Sequence, residues 1–174
     1  METTTTSVST TSVGLRYGLL TGLVSILFSF GLNVMHQESS PARYITFALL
    51  IGGIVLAMNY FKQQNQGFMS FGQGIGIGTV LSAVVGLMSG IFAYVYMTFI
   101  DADMMARLTD KIRTDMEARG GMSDEQIDQA VAMSGKFMNG PFMVGAALLG
   151  TILIGVLLSL VISAFIKNAQ PEFE

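Results

Sequence analysis

The chain has no cysteine, a single histidine and, over long stretches, no charge at all. Without cysteine there are no disulfides, no thiolate nucleophile, no lipoprotein-type acylation and no cysteine-ligated metal or iron–sulfur site. The lone histidine, His36, has Glu38 as its nearest acid in sequence. A histidine-ligated metal would need carboxylate help, and an interfacial histidine is the simpler reading. Gly-x-Ser-x-Gly, P-loop and His-Glu-x-x-His patterns are also missing. Asp101 and Asp103 are the acid pair to weigh for catalysis. Two residues apart at a helix end, they do not share a face, and a solvated terminus or N-cap explains them better. No cofactor, no metal site and no enzymatic activity are therefore expected. A net charge of −3 and a pI near 5.0 leave no basic surface for nucleic acid.

What the chain does have is apolar blocks. Hydrophobic residues make up 51% of it and charged residues 12%, and the apolar ones run in long uncharged segments, as in membrane proteins. The longest, Phe71 to Ile100, contains neither charge nor proline. At ~1.5 Å per residue a helix of that length reaches roughly 45 Å, enough to cross a bilayer. Within it Gly74, Gly78, Ser82, Gly86 and Gly90 recur at every fourth position. Small residues at that spacing form a stripe along one side, where a second helix backbone can approach closely.

Three further spans are expected at about 15–35, 42–61 and 142–166. The first repeats the spacing with Gly14, Gly18 and Gly22, continued by Ser25 and Ser29; the second has Ala48 and Gly52; the fourth has Gly155, Ser159 and Ser163. These residues are the expected helix-packing seams, with packing inside one chain and packing between chains both open. The expected fold is an all-α integral membrane four-helix bundle, one domain over residues 14–167. A Thr/Ser-rich stretch, 1–13, reads as a flexible tail, and 168–174 as a short one. No basic residue precedes Arg16 and no small-residue cleavage site follows the first span, so a retained signal-anchor helix is expected.

Between the third and fourth spans the character changes. Residues 101–139 hold eight of the twelve acids and five of the nine bases. Met105, Leu108, Ile112 and Met116 fall at helical spacing, Gly120 and Gly121 interrupt, and Ser123 with Gln126 makes a capping box ahead of Ile127 and Val131. Two short amphipathic helices are predicted, with those apolar residues as a stripe for the membrane surface or a partner. Ser70 and Gln73 offer a similar box before the third span.

The spans themselves contain no ionisable residue away from their ends. Buried charge inside a membrane usually marks an ion or proton pathway. The interior here offers hydroxyls instead, among them Thr21, Ser25, Ser29, Thr79, Ser82, Ser89, Thr151, Ser159 and Ser163. Each can bond across helices for roughly 0.6 kcal/mol. This argues against a self-contained proton-coupled transporter and leaves a neutral-solute pore open. The expected role is a non-catalytic interaction or assembly subunit in the lipid bilayer, with a membrane protein or a second copy as partner. The alternative is a small-solute transporter or channel component.

An even number of spans puts both termini on one side with the Lys62 loop. That side carries Arg16, Lys62 and Lys167; the other carries Arg43, Arg107, Lys111, Arg113, Arg119 and Lys136. Counting cations alone favours a cytoplasmic 101–139 segment, yet its bases are interleaved with more numerous acids, while Lys62 and Lys167 directly flank span ends.

Several short motifs, in order, resemble one family. They are Tyr17-Gly18-Leu19 opening the first span and Gly67-Phe68-Met69-Ser70-Phe71-Gly72-Gln73 before the third. Met122-Ser123-Asp124-Glu125-Gln126-Ile127 lies in the acidic segment, and Gly140-Pro141-Phe142 opens the fourth span. From Gly14 to Lys167 the chain resembles the small membrane-protein family called domain of unknown function 4199, found largely in Bacteroidota. That resemblance implies a bacterial inner membrane, cytoplasmic termini and a periplasmic 101–139 segment. It implies no activity.

Overall fold

The computed structural model describes residues 8–37, 40–137 and 140–168. Among these the fold is all-α, with six helices and no strand. Helix α1 is Thr10–Val34, and a 3-10 turn, Pro41–Tyr44, leads into α2, Ile45–Gln64. Helix α3, Phe71–Val95, runs on into a π-turn, Tyr96–Ile100, followed by α4, Met104–Arg119, α5, Asp124–Phe137, and α6, Gly140–Ile166. Four segments are long and apolar enough to cross a membrane: Thr10–Val34, Pro41–Gln64, Phe71–Ile100 and Gly140–Ile166.

Helix α3 is the axis of the bundle. Its start is set locally: Gln73 N donates to Ser70 Oγ at 3.2 Å, and Ser70 N donates to Gln73 Oε1 at 2.8 Å. Two of the first-turn amides that would otherwise lack partners are thereby satisfied. The helix packs most extensively on α6, then on α1, and less on α2. Gly14, Gly18 and Gly22 meet α3 residues of rising number, so α1 and α3 run parallel. Against α6 the order falls, so α6 is antiparallel to α3.

The apolar core lies toward the end that holds the Lys62–Ser70 link. There Leu50, Ile54, Ala57, Met58 and Phe61 of α2 pack with Ile77, Leu81 and Val85 of α3, and Leu158, Ile162 and Ile166 of α6 close against them. The same end is tied by polar contacts. Lys62 Nζ donates to Ile166 O at 2.9 Å, placing a cation on the last carbonyls of α6. Met69 and Asn168 exchange backbone bonds of 2.8 and 3.0 Å, and Asn168 Nδ2 donates to Gly67 O at 3.0 Å.

Several boundaries differ from the expected ones, among them the end of α2, which runs to Gln64 beyond the expected 61. Helix α1 starts at Thr10, inside the stretch read as a free tail, because Val13 is buried in the core and Val8 packs on it. Residues 1–7 and 169–174 lie outside the described residues. Helix α6 starts at Gly140, with Pro141 in a first turn where the missing amide leaves no bond unmade. The outward faces of α1 and α6 carry Leu19, Leu23, Leu27, Leu153, Leu157 and Phe165 in exposed positions, an apolar surface suited to lipid.

Candidate functional site

The small-residue seams are built from complementary pairs. A Cβ on Gly74 would fall on Ser163, one on Gly78 on Ser159, one on Gly155 on Ser82 and one on Gly86 on Thr151. A Cβ on Gly90 would meet Val144 and Ala147. Each four-residue step up α3 matches a four-residue step down α6, so glycine on one helix receives a short side chain from the other. The pattern changes hands once, at Ser82 and Gly155. Ser159 Oγ donates to Gly155 O at 2.6 Å and Ser163 Oγ to Met58 Sδ at 3.8 Å. On α1 the stripe faces bulk instead: Gly14, Gly18 and Gly22 lie against Val80, Val84 and Met88. The residues of these seams thus make their contacts inside this chain. In α2 the close approach is at Gly53, against Thr21, while Gly52 faces open space. Ala48 and Gly52 are not a contact pair.

The segment after α3 forms a helical hairpin. Gly120 (φ 66°) and Gly121 (φ 85°) adopt the backbone region that a Cβ disfavours, and they separate α4 from α5. Ser123 and Gln126 form the capping box, with bonds of 2.9 and 3.4 Å. The two helices pack on each other, with Arg113 paired to Glu117 at 3.4 Å and to Asp128 across the hairpin. Ile127 is buried, and Met105, Leu108, Ile112, Met116 and Val131 are half-buried. Among the described residues, Met122 and Met133 are large apolar side chains left outside.

Asp101 and Asp103 do not act as a pair. Arg107 grips Asp101 with two bonds, 3.2 and 2.7 Å. That hydrogen bonding, helped by the guanidinium charge, the Met104 amide and His36, outweighs partial burial and holds the Asp101 carboxyl below its ordinary range. Asp103 sits at the N-cap position of α4 without a side-chain capping bond. His36 is exposed with φ 52°. No group of three or more histidine or acidic side chains that could hold a metal occurs among the described residues.

What the sequence did not reveal is a cavity between α2 and α6, floored by α1 and α3, in the half of the bundle nearer the hairpin. Its inner chamber, about 370 Å³, is lined by the hydroxyl-bearing Ser25, Ser29, Thr46, Ser89 and Thr151 together with Phe47, Leu50 and Ile154. An outer chamber of about 380 Å³ shares Ser29, Thr46 and Ser89 and reaches Asn33, Arg43, Tyr96 and Met104. Ser25 Oγ is buried with no hydrogen-bond partner. Thr46 Oγ1 donates to Arg43 O at 2.6 Å. The Arg43 guanidinium lies over the Tyr44 ring, 5.1 Å from its centroid, and donates to the Tyr44 hydroxyl at 3.3 Å. Among the described residues no carboxylate pairs with it. All of these hydroxyls but that of Thr46 stood out one by one in the sequence, but their convergence depends on four helices meeting.

No curated protein and no solved structure matches the chain. A family profile does, over residues 16–168, from the second turn of α1 through the bridge residue that follows α6. On that match the chain belongs to the family described as Protein of unknown function (DUF4199).

Proposed function

We propose that this protein is a non-catalytic, multi-pass subunit of a bacterial inner membrane that presents the α4–α5 hairpin to a partner. The observation that carries this reading is the hairpin's packing. Among the described residues, helices α4 and α5 make their extensive contacts with each other, and only the start of α4, at Met104 and Leu108, reaches the four long helices. Exposed Met122, followed by Asp124 and Glu125, and exposed Met133 give that hairpin apolar contact points on a charged surface. The seam glycines, by contrast, meet side chains of this same chain, which supports the hairpin as the surface offered to a partner. Cross-linking in native membranes tests this. One stoichiometric partner is expected, lost in Met122→Glu/Met133→Glu while the melting temperature stays unchanged; a partner retained by that variant refutes the hairpin as its surface.

In this reading both termini are cytoplasmic and the hairpin is periplasmic. The absence of cysteine makes the test clean. Gln129→Cys in α5 is expected to react with an impermeant maleimide on intact spheroplasts, and Gln64→Cys at the end of α2 only after lysis. The opposite pattern inverts the topology.

A second reading, a small-solute transporter or channel component, is favoured by the hydroxyl-lined cavity alone. The core at Ile54, Ile77 and Leu81 closes the far side, so passage would require the helices to move or copies to assemble. Flux into proteoliposomes that disappears in Ser89→Leu would support it, and absence of flux for neutral solutes would remove it.

A further inference from the structure

The cavity carries an inference that stands whether or not the hairpin has a partner. We propose that the cleft between α2 and α6 binds an anionic phospholipid. Its phosphate would rest on Arg43, its glycerol ester region on the hydroxyls of Ser29, Thr46 and Ser89, and an acyl chain on Phe47 and Ile154.

The first argument is charge. Arg43 lies in the 3-10 turn at the mouth of the α2 span, at head-group depth, and has no carboxylate partner among the described residues. Arg43 lines the outer chamber at its rim, and its guanidinium, which rests over the exposed Tyr44 ring, is within reach of a phosphate that it can hold with two parallel bonds. The second argument is the polarity gradient. From Asn33 to Ser25 the α1 wall descends about 12 Å, at ~1.5 Å per residue. Along this descent the polar lining passes from Arg43 and Asn33, through Ser29, Thr46 and Ser89, to Ser25 and Thr151 set among Leu50, Val85 and Ile154. That order, a cation at the rim and then hydroxyls that give way to a mixed hydroxyl and hydrocarbon floor, follows the groups of a phospholipid from phosphate through glycerol esters to the start of an acyl chain.

The third argument concerns Ser25. Its side chain is 5% exposed, lines the inner chamber, and has an unpartnered Oγ. A buried hydroxyl in a hydrocarbon setting is unfavourable without a bond, and an ester carbonyl supplies an acceptor. The fourth is the direction of access. Met104 and Leu108 of α4 cover the outer chamber at the hairpin end, while α2 and α6 touch chiefly at the opposite end. The cleft therefore opens sideways, toward lipid.

The test uses the full chain, delipidated in a neutral detergent and titrated separately with phosphatidylglycerol, phosphatidylcholine and glycerol 1-phosphate, with binding read by native mass spectrometry. One phosphatidylglycerol per chain is expected to bind in preference to phosphatidylcholine. Arg43→Gln should weaken it about five-fold, the contribution of one interfacial cation, with Arg43→Lys falling between that variant and wild type because the charge stays and the paired bonds are lost. Ser89→Leu, which fills the cleft and leaves Arg43 in place, should abolish the one-to-one complex. Melting temperatures of the free variants control for folding. Equal binding of the two lipids overturns the proposal, as does phosphatidylglycerol binding that Arg43→Gln leaves intact. Glycerol 1-phosphate binding as tightly as the lipid would assign the site to a soluble phosphate and overturn it equally.

Discussion

The α3–α6 seam makes a sharp demand on two glycines that sit two residues apart. Gly76 faces open space, with nothing within 4 Å of a Cβ built there. Gly78 faces Ser159: its Cβ would overlap Ser159 Oγ and lie 2.7 Å from Ser159 Cβ. Ser159 cannot swing away freely, because it is fully buried and its Oγ is bonded to Gly155 O. Carbon atoms rest at roughly 3.5–4.0 Å, so Gly78→Ala forces the helices apart by about 1 Å. Overpacking of that kind destabilises by ~1–3 kcal/mol, against ~1 kcal/mol gained from alanine's helix propensity. At Gly76 only the gain applies. Gly76→Ala is thus expected to match or exceed wild-type stability in a denaturant titration in mild detergent, and Gly78→Ala to fall below Gly76→Ala by ~1–3 kcal/mol. The double change Gly78→Ala/Ser159→Gly removes the obstructing side chain and should recover most of the loss relative to its single variants. If Gly78→Ala is as stable as Gly76→Ala, or if Ser159→Gly gives no recovery, the pairing of α3 with α6 described above is wrong.

Two further outcomes follow from the ends of the bundle. Lys62→Met removes the cation bonded to Ile166 O and is expected to lower stability by about 1 kcal/mol in the same titration, with Lys62→Arg close to wild type. Asp101 is held below its ordinary value of 3.8 by Arg107, so its carboxylate stabilises the folded state above that value. The contribution is lost as pH falls through the depressed folded value. Hydrogen exchange over residues 102–108 should accelerate in that acidic window and not near neutrality, and Arg107→Gln should flatten the response.

The architecture was legible where the cause is local. The absence of charge from Phe71 to Ile100 and the Ser70–Gln73 box specify α3 without help from any other segment. The hairpin was legible for the same reason, through Gly120, Gly121 and the Ser123–Gln126 box. The four-residue spacing marked the seams but not their partners. Glycines on α1 meet Val80, Val84 and Met88, and those on α3 meet Ser163, Ser159 and Thr151, yet both stripes look alike in sequence. Gly52 and Gly53 show the limit most clearly. They are neighbours, and only the rotation of α2 about its axis decides that Gly53 touches Thr21. Helix α1 begins early for a tertiary reason too, since Val13 gains its burial from the α2–α3 core.

The two ends of the bundle are built differently, and the difference separates stability from binding. Toward the Lys62–Ser70 link, α2 presents Ile54, Met58 and Phe61 to α3 and α6, and large side chains fill the space between the helices. Toward the hairpin, corresponding inward positions are held by Ser25, Ser29, Thr46, Ser89 and Thr151, too short to fill it. One end is close-packed, and the other keeps a chamber whose hydroxyls are not all satisfied by protein. Binding sites are held best when a rigid element supports them from outside the site. The α3–α6 seam supplies that support, since it runs the full length and fixes the floor of the cleft while α2 and α6 part above it. Arg43 and the hairpin stand at the same open end, so a lipid in the cleft would lie beside Met104 and Leu108 of α4. Changes at Ile54 or Gly78 should therefore act on folding, whereas changes at Arg43 or Ser89 should act on what the open end holds.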